Sequence, residues 1–101
     1  MNKSAKVKKV TAEVDKFLDS LKYSYVANEK PDALYQRLFR EIANIAMRHY
    51  EDIDITANME LHVSTDTMGD AVRTVVTGYI RAPSGQYIQI EKIYLPEGVT
   101  I

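Results

Sequence analysis

From residue 52 to residue 64 the sequence alternates without exception. Ile53, Ile55, Ala57, Met59, Leu61 and Val63 are apolar, and Asp52, Asp54, Thr56, Asn58, Glu60, His62 and Ser64 are polar. Successive side chains of a strand point to opposite sides, so this pattern predicts one long strand with a buried face and a wet face. Such a strand needs neighbours in a sheet and a layer to cover its apolar side.

The neighbours follow directly. Asp66-Thr67-Met68-Gly69 has Asp first and Gly last, as a type I turn prefers. A second strand over residues 71–82 buries Val72, Val76 and Ile80 and turns Arg73, Thr77, Tyr79 and Arg81 outward. Gly78 interrupts its inner face, where a helix or a neighbouring backbone can approach closely. Pro83-Ser84-Gly85 reads as a three-residue hairpin loop with Gly85 left-handed. The third strand, over 86–95, buries Ile88 and Ile90. Ile93 and Leu95 have the opposite parity, which a bulge near Glu91-Lys92 would repair.

These turns predict a register. His62 lies opposite Arg73, Thr56 opposite Tyr79 and Asp54 opposite Arg81. On the other side Ile80 faces Ile88, Tyr79 faces Gln89 and Arg81 faces Tyr87. The outer face then reads Asp54–Arg81–Tyr87, Thr56–Tyr79–Gln89 and Asn58–Thr77–Glu91, which is largely self-paired.

The covering layer lies upstream. Val7, Val10, Val14, Phe17, Leu18 and Leu21 fall on one helical face. Thr11 is the better cap for this helix, because Glu13 and Asp15 then occupy its first turn and Lys6, Lys8 and Lys9 stay clear of the positive end of the dipole. The expectation is a firm helix from about residue 11 behind a looser lysine-rich lead, residues 1–10, that is flexible or helical according to context. Residues 28–32 break the pattern, and Pro31 suits the first turn of a second helix. That helix sets Leu34, Leu38, Ile42, Ile45 and His49 in one row, widened by Tyr35, Phe39 and Ala46, with Gln36, Arg37, Arg40, Glu41, Asn44 and Arg48 facing away. The predicted fold is a single α+β domain, residues 1–101, with two N-terminal amphipathic helices on one face of a three-stranded antiparallel meander.

With 101 residues, 46% of them hydrophobic, the chain can bury a core without staples. The absence of cysteine excludes a disulfide framework, a thiol nucleophile and cysteine-ligated zinc. No apolar segment follows the lysines and none reaches membrane-spanning length, so a cytoplasmic protein without a membrane partner is expected.

Charge is divided unevenly. Residues 1–50 hold ten Lys/Arg against six Asp/Glu, or +4; residues 51–101 hold three against eight, or −5. Such a split steers partners of opposite sign, although two halves that simply attract each other would carry it too.

No motif points to catalysis. Glu60, His62 and Arg73 offer an acid, a base and a cation, but an open sheet face supplies neither a pocket nor a pKa shift. His49, Glu51, Asp52 and Asp54 match no calcium loop. Tyr79, Tyr87, Arg73 and Arg81 suggest base stacking on a sheet, yet the RNA-recognition signature is missing. No cofactor is implied. The leading expectation is a non-enzymatic adaptor or inhibitor whose acidic surface, Glu51, Asp52, Asp54, Glu60, Asp66 and Asp70, meets a larger basic protein and occupies that protein's nucleic-acid-binding site. The alternative is direct nucleic-acid binding through Lys3, Lys6, Lys8, Lys9, Arg37, Arg40 and Arg48. The apolar seam of the first helix, with steps of three and four, also suits a homodimer.

Overall fold

The computed structural model describes residues 3–96. Four helices, α1 (Lys3–Ser20), α2 (Tyr23–Asn28), α3 (Pro31–His49) and α4 (Ile55–Asn58), precede three strands, β1 (Met59–Met68), β2 (Ala71–Arg81) and β3 (Tyr87–Tyr94). The strands form an antiparallel sheet in the order β1-β2-β3. One face is covered, α1 lying over β3 and α3 over β1, with the short α2 against β2. This is the expected α+β architecture.

The core forms where the apolar rows meet. Val10, Val14 and Leu18 of α1, Val26 of α2, and Leu34, Leu38, Ile42, Ile45 and Ala46 of α3 are buried against Met59, Leu61, Val76, Ile80, Ile88 and Ile90. Pro31 begins α3 and Asp32 lies in its first turn, where the helix dipole favours a carboxylate. Arg48 and His49 close its last turn.

The start of α1 differs from expectation. The lysine-rich stretch is helical from Lys3, and Thr11 lies inside the helix, its hydroxyl donating to Val7 O at 2.8 Å. Two contacts favour the extension: Val7 packs on the core, and the Lys6 ammonium lies 5.5 Å from the centre of the Tyr50 ring. Tertiary packing thus outweighs the unfavourable charge in the first turn.

The long first strand is corrected in both directions. Residues 55–58 form one turn of helix, because the Asp54 carboxylate accepts from Ala57 N at 3.4 Å and caps it. At the other end β1 continues through Met68 and turns at Gly69-Asp70, with Gly69 at φ 63°. A two-residue turn with glycine in the first position follows the twist of the flanking strands better than the type I turn expected at 66–69.

The β1–β2 register is therefore displaced by four residues. His62 pairs with Thr77, Glu60 with Tyr79 and Asp66 with Arg73, while Asp54, Thr56 and Asn58 lie outside the ladder. Across β2–β3 the expected pairs hold, Ile80 with Ile88, Tyr79 with Gln89 and Arg81 with Tyr87. The Pro83–Gly85 loop is closed by Ala82 N donating to Gln86 O and Gly85 N donating to Ala82 O, both at 2.8 Å. The bulge near Glu91-Lys92 is absent, since the pairing runs unbroken from Arg81–Tyr87 to Thr74–Tyr94. Ile93 stays on the outer face, half-buried, and Tyr94 takes the inner one.

Tyr94 ties the last strand to the first helix. Its ring is buried and its hydroxyl donates to Leu18 O at 2.7 Å. Burial pushes the phenol up to about 12 from the usual 10. A raised phenol pKa contributes stability that is complete below about pH 10 and is lost as pH rises through about 12. Chemical denaturation across that window should show a loss on the order of 2 kcal/mol. Tyr94→Phe, which has no proton to lose, should reduce it, the remainder coming from the other raised phenols such as Tyr50.

Candidate interaction surface

The six acidic residues all lie on exposed positions, on β1 and on the segments that flank it. Glu51 and Asp52 occupy the turn after α3, Asp54 caps α4, Glu60 and Asp66 stand on the outer face of β1, and Asp70 sits in the hairpin turn. Ten residues of strand span about 33 Å, so the acids mark an edge and do not form a cluster.

Their partners decide what the edge can do. Asp66 is paired with Arg73, and Glu60 Oε1 lies 3.5 Å from His62 Nε2. Among the described residues Glu51, Asp52, Asp54 and Asp70 have no ion-pair partner, and no sheet-side acid is paired with a helix-side base. Among the described residues the ion pair that joins the layers runs the other way, from Lys92 Nζ of β3 to Asp19 Oδ1 of α1 at 2.7 Å. Direct ion pairing between the two halves therefore does not account for the division of charge.

The basic residues are differently placed. Lys8, Lys9 and Arg40 are exposed on the helices. Lys6 lies over Tyr50, Arg37 over the Tyr25 ring at 5.6 Å, and Arg48 donates to Glu13 Oε2 at 3.1 Å. His49 Nε2 lies 3.0 Å from the other oxygen of Glu13. The partner of His49 is thus a carboxylate of α1. Hydrogen bonds from His49 and then Arg48 hold the Glu13 carboxyl below its usual range, so this clasp between α1 and α3 contributes above the ordinary carboxylate pKa and weakens as pH falls below it. The side chain of Lys3 lies outside the described residues.

The outer face of the sheet carries the rows Glu60–Tyr79–Gln89 and His62–Thr77–Glu91, in place of those expected. Tyr79 and Tyr87 meet edge to face with centroids 5.3 Å apart. Glu60 beside Tyr79 raises its phenol pKa. His62 is two-thirds exposed there, and Arg73 is engaged by Asp66, so the acid, base and cation considered together in sequence do not converge. Among the described residues no three His, Asp or Glu side chains gather to hold a metal ion. None of the described helices is long and apolar enough to cross a membrane.

The molecule is thus an open sheet with six exposed acids along its first strand and the flanking turns, four of which have no cationic partner among the described residues. Comparison with known families, with curated proteins and with solved structures finds no match to the chain.

The first-helix seam is spent within the protomer: Val10, Val14 and Leu18 are buried, and Val7, Phe17 and Leu21 pack at the margin of the same core. Sequence reasoning missed the brace from Tyr23, whose hydroxyl donates to Val72 O at 2.8 Å and ties α2 to the turn end of the β1–β2 hairpin. No local pattern links residues 49 positions apart.

Proposed function

We propose that the protein is a non-enzymatic binding module, of adaptor or inhibitor type, that presents its acidic edge to a larger basic protein. The observation that carries this reading is the lack, among the described residues, of any cationic partner for Glu51, Asp52, Asp54 and Asp70. Exposed pairs contribute little to folding, from about zero to 1 kcal/mol each, so carboxylates left free on one edge are better explained by something outside the molecule. A partner whose cations normally meet phosphates would suit the edge, which makes occupation of a nucleic-acid-binding site a natural outcome. Direct nucleic-acid binding by the helix layer is the weaker reading, because Lys6, Arg37 and Arg48 are already engaged.

The test is capture of proteins from the native host by the intact chain at low and raised salt, beside the triple variant Asp52→Lys, Glu60→Lys, Asp70→Lys. A basic partner retained at low salt, released by raised salt and lost with the triple variant is expected. Retention of every partner by the variant would overturn the proposal.

A further inference from the structure

The edge of β1 offers backbone as well as charge. In the β2–β3 hairpin Ala82 N donates to Gln86 O, and the pairs Ile80–Ile88 and Gly78–Ile90 follow at steps of two. Hydrogen-bonded and non-bonded pairs alternate in an antiparallel ladder, so the even-numbered residues of β2 bond to β3. Its odd-numbered residues then bond to β1, where their partners are Glu60, His62, Ser64, Asp66 and Met68. The two-residue turn after Met68 requires the same phase. The N–H and C=O groups of Leu61, Val63, Thr65 and Thr67 consequently point outward along the edge, and among the described residues nothing donates to them or accepts from them.

The two edges of the sheet are not alike. On β3, Lys92 points to the helix side and is held by Asp19, and an inward-pointing lysine on an edge strand discourages an added strand. On β1 there is no lysine, arginine or proline, and its ten pairs with β2 contain no bulge. One edge is guarded and the other is open.

Charge selects what can occupy the open edge. A second copy of β1 would bring Glu60 and Asp66, with Asp54 and Asp70 beyond the strand ends, against the same set, and opposed like charges disfavour strand pairing. The acids also extend over about 33 Å, while salt screens charge beyond about 8 Å. A compact cation therefore meets only part of the edge, whereas an extended chain meets all of it.

We propose that β1 accepts an extended lysine- or arginine-rich segment of another protein as a fourth strand. This rests on the acidic-edge reading and specifies its partner: a segment with a basic residue at every second position, beside Glu60 and Asp66, and apolar or threonine residues between them, beside Leu61 and Val63. Main-chain hydrogen bonds supply the attachment and the alternating side chains supply the selectivity.

A ten-residue peptide of alternating lysine and valine, labelled for fluorescence anisotropy, tests this with the full chain. Two versions carry N-methyl groups at every second amide, in opposite phases, and leave the charge unchanged. The phase that places the methyl groups against β1 should bind at least tenfold more weakly, and the other phase should match the parent. Thr65→Pro removes only an outward N–H and should also weaken binding at least tenfold, with the circular dichroism of the protein unchanged. Equal binding of the two methylated phases, or no binding of the parent peptide at low salt, would overturn strand addition. Binding untouched by Asp52→Lys, Glu60→Lys, Asp70→Lys would instead overturn the acidic-edge reading itself. A doubled mass in solution that Thr65→Pro halves would assign the edge to a second copy and end the basic-partner proposal.

Discussion

Replacing Gly78 with alanine is expected to destabilise the fold by about 3 kcal/mol, a figure at the upper end of overpacking costs. Gly78 lies on the inner side of the central strand, opposite Leu61. A Cβ built there would stand 2.1 Å from the Glu60 carbonyl oxygen and 3.0 Å from both Glu60 C and Leu61 Cα. All three are backbone atoms, so no side-chain rotation relieves the contact, and β1 must move away from β2. Marginal stability makes such a loss large, since domains of this kind hold about 5–15 kcal/mol in total. Urea denaturation of the variant measures it directly. A loss under about 1 kcal/mol would mean that the two strands separate locally at little cost. Gly69, where a Cβ meets nothing within 4 Å, is the control for crowding alone, because its positive φ is the only obstacle there.

Leu38→Ala is expected to cost about 3 kcal/mol, within the usual span for truncating a buried leucine. Leu38 is fully buried on α3, in the same core as Ile42, Leu61 and Val76. The helix and the sheet are held apart by other large side chains, so the space left behind cannot fully collapse. For a chain of this size the melting temperature should fall by about 12–24 °C. Met47→Ala on the same helix removes a side chain that is 44% exposed and should cost under about 0.5 kcal/mol. Comparable losses from both substitutions would show that the helix is not seated on the sheet as described.

Periodicity carried most of the architecture. The apolar rows of α1 and α3, the second and third strands, the Pro83–Gly85 loop and the β2–β3 register could all be read from the order of residues, because each depends on neighbours close in sequence. The first strand could not be read so well. Ile53 and Ile55 pack on the core just as strand residues would, so alternation persists through a segment whose backbone is a capped turn of helix. What decided the matter was the Asp54 side chain, which competes for a backbone amide that a strand would need elsewhere. One glycine then moved the turn, and a displacement of four residues replaced every pairing proposed for the outer face.

The acidic residues themselves were legible, and the lack of a cationic partner for four of them was not. Whether Lys and Asp side chains meet depends on which faces the layers present, and these layers are joined by Lys92 and Asp19 in the sense opposite to the overall charge division. The unguarded edge of β1 leaves even less trace in sequence. Its recognition groups are peptide N–H and C=O, which every residue except proline carries.

The link from Tyr94 to Leu18, with Lys92 reaching Asp19 beside it, joins parts of the chain 76 and 73 residues apart. The β1–β2 hairpin closes through two residues and can form alone, but α1 has no sheet to rest on until β3 has been made. During synthesis the first helix can meet α3 early, but its sheet-facing side stays uncovered until β3 has been made. Native structure should arrive late and in one step, when the third strand clears the ribosome and the helix is recruited to it.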